Sequence, residues 1–156
     1  MLKRFLKKIL PNEDLTDLFF RVMFSSIFLG LGMEHLFQDE ILQKLMPEWF
    51  EWILPKRIVS ICTGLVLLFG GSSILLGYKI RLGALVLASF LVLVNASIHF
   101  LGVVKSPDTM PANWHWLWDA YQRSNLVKNI CLLGVCLHLL YYQPRKYSLE
   151  NFLKNR

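Results

Sequence analysis

The chain has 156 residues, 54% of them hydrophobic and 18% charged, with a net charge of +6. A soluble domain of this size carries about 25% charged residues, so the composition points to a membrane protein. Its Lys and Arg sit at the ends of apolar runs rather than along one stripe, which argues against nucleic acid and leaves the lipid bilayer as the first partner.

Met1–Leu10 sets Leu2, Phe5, Leu6 and Ile9 against Lys3, Arg4, Lys7 and Lys8, a basic amphipathic segment suited to an anionic leaflet. Acidic residues separate it from the next apolar run, which lacks a small-residue cleavage site, so no removed signal is expected. Pro11-Asn12-Glu13-Asp14 is a break followed by a helix start. The first span is expected at about 17–37, with Arg21, Ser25, Phe28, Gly32 and His35 on one face. Glu34 lies about 100° round the helix from His35. Residues 38–56 mix Trp49, Trp52 and Ile53 with acidic residues between Pro47 and Pro55, the composition of an interfacial helix or re-entrant flap.

A second span at about 57–78 carries Thr63, Val66, Gly70, Ser73 and Gly77 as a small-residue packing seam, and Gly70-Gly71 permits a local bend. Lys79-Ile80-Arg81 leaves only a tight turn before the third span at 80–103, so these two form an antiparallel hairpin. After Arg81 no charge occurs until Lys105, long enough to cross a hydrocarbon slab of about 30 Å. Asn95 and His99 interrupt this run four residues apart, on one face with Ala84 and Ala88. Polar groups at that depth are costly in lipid and should face other helices or a wet cavity. Residues 105–119 hold Trp114, His115, Trp116 and Trp118, an interfacial tryptophan belt or a lid carrying His115. The fourth span is expected at about 124–142, with Ser124, Lys128, Cys131, Val135 and His138 in a row and Asn125 and Asn129 alongside. Pro144-Arg145-Lys146 ends it, and a short basic tail follows.

The predicted fold is an all-α membrane protein: four transmembrane helices in an antiparallel bundle, with Trp-rich interfacial connectors on the outer side. The transmembrane domain, 17–142, is flanked by a basic cytoplasmic segment, 1–16, and a basic cytoplasmic tail, 143–156. Eleven Lys and Arg fall on one side of the bundle and six on the other, so both termini are expected inside. Cys62, Cys131 and Cys136 lie in apolar runs and read as small buried hydrophobes. Cys131 and Cys136 point apart on one helix, whereas a Cys62–Cys131 pair is geometrically open.

Placed by depth at about 1.5 Å per residue, Glu34, His35, Asn95, His99, Lys128 and Asn129 share one layer in the outer half, roofed by Trp114 and His115. These eight residues are the candidate ligand-binding set. No catalytic residue and no metal site is assigned, because the faces of Glu34 and His35 diverge. Arg21 and His138 read as structural.

With the spans placed, the chain resembles the DoxX family of small integral membrane proteins. Arg21, Gly30–His35 (GLGMEH), the glycines of Gly64–Gly77, Arg81, Asn95–His99 (NASIH) and Asn125–Gly134 (NLVKNICLLG) carry the likeness. The resemblance implies a four-helix protein of the bacterial inner membrane, tied to quinol-oxidase and thiosulfate:quinone systems or to thiol redox defence, with a redox partner subunit. It assigns no catalytic role to Glu34, His35 or the tryptophans.

Two functions are compatible with this pattern. One is a subunit or accessory of a quinone-linked or thiol-linked redox system, in which His99 and His35 hydrogen-bond a quinone-like head group, Asn95 orients His99 and Lys128 stabilises negative charge. The other is a non-enzymatic carrier, receptor or accessory protein holding a lipid or small molecule in the same chamber. A haem b ligated by His35 and His99 ranks below both. Small-residue faces serve a homodimer as well as a monomer.

Overall fold

The computed structural model describes residues 12–38, 40, 43–44, 46–107, 110–143 and 145–155, and every regular element among them is helical. The basic segment expected at 1–16 lies, up to residue 11, outside the described residues.

Helix α1 is Glu13–Phe37. Asn12 starts it by accepting the Asp14 N–H at 3.0 Å, and Glu13 and Asp14 sit at the positive end of the helix dipole. A 3-10 turn, Glu48–Trp52, leads through Pro55 into α2, Lys56–Leu76. The α2 terminus is a Schellman turn: Gly77 takes the left-handed conformation at φ 68°, its N–H donates to Ile74 O at 3.1 Å, and Tyr78 N–H donates to Ser73 O at 3.0 Å. Helix α3, Ile80–Val104, begins three residues later and contains a π turn at Asn95–His99. A 3-10 turn, Ala112–Trp114, opens α4, His115–Leu139, and a short α5, Leu149–Lys154, closes the chain.

Contacts between small and large residues fix how the helices meet. Gly64 lies against Leu36 while Gly71 lies against Leu29, so α1 and α2 run in opposite directions. Gly70 meets Leu87 and Gly83 meets Ser73, the same sense for α2 and α3. The contact with α1 lies outside the expected seam. Gly70 and Ser73 face α3, whereas Gly64 and Gly71, one position round, face α1. Phe24, Phe28, Leu67, Leu87, Leu91 and Leu139 form the buried core, with Phe24 edge-on to Phe28 at 5.2 Å.

Helices α1, α2 and α3 are long and apolar enough to cross a membrane. Phe19, Met23, Leu65 and Leu93 point outward from them, an arrangement that places lipid rather than water around the bundle. The fourth span differs from expectation. The helix begins at His115, so the segment read as a connector to residue 119 supplies its first turn. Asp119, Arg123 and Lys128 leave it less apolar than the other three.

One charge ties the Gly77 end together. The Arg21 side chain is fully buried, with Nε donating to Asp17 at 3.1 Å, Nη1 to Leu75 O at 2.8 Å and Nη2 to Tyr147 O. The Tyr142 hydroxyl donates to the second Asp17 oxygen. A Cβ on Gly77 would lie 2.7 Å from Arg21 Nη1 and 2.5 Å from Ser148 Cβ. The tail is accordingly docked: Ser148 is buried and caps α5, and Glu150 N–H donates to Gly77 O at 3.2 Å.

Two outcomes follow from this packing. A Cβ on Gly70 would come within 2.4 Å of Leu87 Cγ, so Gly70→Ala should cost about 1–3 kcal/mol by thermal unfolding in detergent. Gly134→Ala, where nothing lies within 4 Å, should cost nothing. Arg21→Met leaves Asp17 buried without its cation and should cost about 3–5 kcal/mol, with faster proteolysis of residues 147–155. The double variant Asp17→Leu/Arg21→Met should lose less than the single one. Equal losses would show that the ion pair is not the source.

Candidate functional site

The polar residues of α3 sit where its helix widens. Ser97 Oγ donates back to Leu93 O at 2.7 Å, a bond that competes with the regular ladder, and Phe100 N–H reaches Asn95 O five residues back. Such π turns concentrate at functional positions. Asn95 and His99, at its two ends, are both buried.

His99 meets a partner from α4. Its Nδ1–H donates to Gln122 Oε1 at 2.7 Å, and Gln122 is itself fully buried. An imidazole donating from Nδ1 presents Nε2 as an acceptor when neutral. Gly102 makes room for this contact, because a Cβ there would lie 2.6 Å from Gln122 Cδ. One turn earlier on α4, Trp118 Nε1–H donates to Gly102 O at 2.9 Å, satisfying a carbonyl left open near the α3 terminus. The Asn95 Oδ1 atom is buried and has no hydrogen-bond partner among the described residues.

The remaining candidates fall in different places. His35 donates from Nδ1 to Ser60 Oγ at 3.0 Å while Ser60 Oγ donates to His35 O at 3.0 Å, a reciprocal clamp from the end of α1 to the start of α2. His35 and His99 thus bond to different helices. Glu34 is exposed. Lys128 is exposed and donates to Asn125 at 2.7 Å. Trp114 is half exposed, and His115 Nε2–H stays with its own loop, donating to Met110 O at 3.0 Å. Asn129 is buried, seven residues and about two turns beyond Gln122 on the same face.

The inward face of α4 consequently carries Gln122, Asn129 and Cys136; of the expected row Ser124, Lys128, Cys131, Val135 and His138, Val135 is half-buried and the other four are exposed, while Asn129, expected alongside, is buried. Gln122 lay ahead of the expected span and escaped notice. The heptad spacing 122, 129, 136 was the available signal. The three cysteines are free thiols, Cys136 buried and Cys62 and Cys131 exposed. Two cavities, of about 470 and 460 Å³, both reach Tyr142 at the Arg21 end rather than the π turn.

With every regular element among the described residues helical, three helices able to cross a membrane and apolar side chains facing outward, the chain is a helical membrane protein. A family model described as DoxX matches residues 16–100, more than half of its length, and the chain belongs to the DoxX family. The match runs from α1 through the π turn and ends before α4, so Gln122 and Asn125–Gly134 lie outside it. No curated protein and no solved structure matches the chain.

The His99–Gln122 bond makes a direct prediction. Gln122→Leu leaves the buried Nδ1–H without an acceptor and should cost about 1–3 kcal/mol in thermal unfolding. The ¹⁵N spectrum of the His99 ring should lose its fixed Nδ1–H tautomer at the same time. Retention of that tautomer would mean that Gln122 does not set it.

Proposed function

We propose that this DoxX-family protein is a subunit or accessory of a quinone-linked or thiol-linked redox system in the bacterial cytoplasmic membrane. It binds a lipophilic, hydroxyl-bearing head group at the π turn of α3. All four long helices cross as an antiparallel bundle with both termini cytoplasmic and the Trp-rich connectors at the outer interface. Helix α4 supports this by length, since its 25 residues span about 37 Å at ~1.5 Å per residue.

The observation that carries the reading is the unpartnered Oδ1 of Asn95 beside His99, whose Nε2 is also an acceptor. A buried acceptor without a donor costs about 1–3 kcal/mol. Two acceptors call for a ligand that donates, which a quinol hydroxyl does and a quinone carbonyl does not. Asn95 and His99 make the first contacts, Gln122 holds the His99 ring, and Asn129 lies on the same face of α4. His35, committed to Ser60, serves to position the helices. Lys128, Glu34, Trp114 and His115 are exposed and are assigned no contact with the head group. A partner subunit supplies the rest of the redox chemistry.

A non-enzymatic carrier or receptor would use the same contacts. It is favoured by the exposed placement of Glu34 and Lys128, which leaves no charged acid–base pair in the buried layer.

Titration with a short-chain benzoquinol, followed by isothermal calorimetry, tests the proposal. The quinol should bind at least about tenfold more tightly than its quinone, the equivalent of one to two hydrogen bonds. Asn95→Leu and His99→Phe should each reduce quinol affinity by a similar factor, with the thermal midpoint nearly kept. Equal affinity for both oxidation states, or no response to either variant, would end the reading. Binding without quinol oxidation by any supplied acceptor would favour the carrier.

A further inference from the structure

The cavity of about 470 Å³ on the far side of Tyr142 is built differently from the polar layer. Its lining includes Lys79 and Arg81 from the α2–α3 turn, Lys154 and Glu150 from α5, and Leu82 and Tyr142. Three cations thus meet one carboxylate, and that carboxylate already accepts from Lys154 at 2.8 Å. The cations come from segments about seventy residues apart, brought together by tail docking through Tyr147 O on Arg21 and Glu150 N–H on Gly77.

The surroundings are apolar on the bilayer side. Ile80 is the first residue of a helix able to cross a membrane, and Leu82 is exposed on its flank. Helix α5 presents Leu149, Phe152 and Leu153 outward while Glu150 and Lys154 line the cavity. A positively charged concavity bordered by outward apolar side chains suits a molecule with an anionic head and an aliphatic tail.

We infer that this cavity holds the head group of an anionic phospholipid, with its phosphate among Lys79, Arg81 and Lys154 and its acyl chain running past Leu82. A zwitterionic head group brings an ammonium to the same cations and is disfavoured. The inference is independent of what the π turn binds. It makes the docked tail a lipid-contacting element rather than a free basic appendage.

Native mass spectrometry of the full chain, with dioleoyl phosphatidylglycerol, dioleoyl phosphatidylcholine or inorganic phosphate at matched ionic strength, tests it. Phosphatidylglycerol should be retained about tenfold over phosphatidylcholine, and the triple variant Lys79→Gln/Arg81→Gln/Lys154→Gln should lose that preference. A matched triple elsewhere, Lys44→Gln/Lys105→Gln/Arg123→Gln, should keep it. Equal loss in both triples, equal retention of both lipids, or displacement of the lipid by inorganic phosphate would each overturn the assignment. Should the cavity triple fail to fold, Arg81→Gln alone, at an exposed position, should lower the preference about fivefold, and an unchanged preference there overturns it equally.

Discussion

The guanidinium of Arg21 is the group around which the chain is arranged. A fully buried cation costs several kcal/mol unless its hydrogen-bonding positions are filled, and here they are filled from three parts of the sequence. Asp17 supplies the opposite charge, Leu75 supplies a carbonyl from the last turn of α2, and Tyr147 supplies one from the tail. Each partner is needed because removing it returns part of the desolvation cost. The left-handed turn at Gly77 follows from the same constraint, since a side chain there would strike both Arg21 and Ser148. The tail folds because the cation requires its carbonyl.

At the other end, uncharged partners join successive helices: His99 bonds Gln122, Trp118 bonds Gly102 O, and His35 bonds Ser60. Neutral hydrogen bonds contribute about 1 kcal/mol each, and those to a charged group more. The π turn widens α3 where the His99–Gln122 contact is made.

Much of this was legible in the sequence. The inward face of α3 could be read because Ala84, Ala88, Asn95 and His99 interrupt a charge-free run at helical spacing, and lipid tolerates such interruptions only when they face protein. Family membership was legible for the same reason. What failed was the phase of α4. Its charges suggested that Lys128 and Ser124 turned inward, but a helix beginning at His115 places Gln122 opposite His99, and that contact sets the rotation. The pairing of His35 with Ser60 was equally hidden, because depth alone cannot distinguish neighbouring helices from opposite ones. Trp118 belongs to the run read as an interfacial belt, and its indole N–H also caps a carbonyl of α3, a contact that composition does not reveal.

Two buried side-chain polar atoms lack partners among the described residues, Ser25 Oγ and Asn95 Oδ1, and their settings differ. Ser25 is wholly buried, one turn from Arg21 and within the layer of Phe24 and Phe28. A ligand reaches that hydroxyl only if α1 parts from its neighbours, against the Arg21 contacts. Asn95 retains 9% exposure and sits in a π turn whose neighbouring contacts are neutral. The unpartnered Asn95 Oδ1 carries a desolvation cost of about 1–3 kcal/mol. The same unsatisfied chemistry therefore sits beside a buried ion pair in one case and at a helical irregularity in the other, and only the second lies next to a polar contact between α3 and α4.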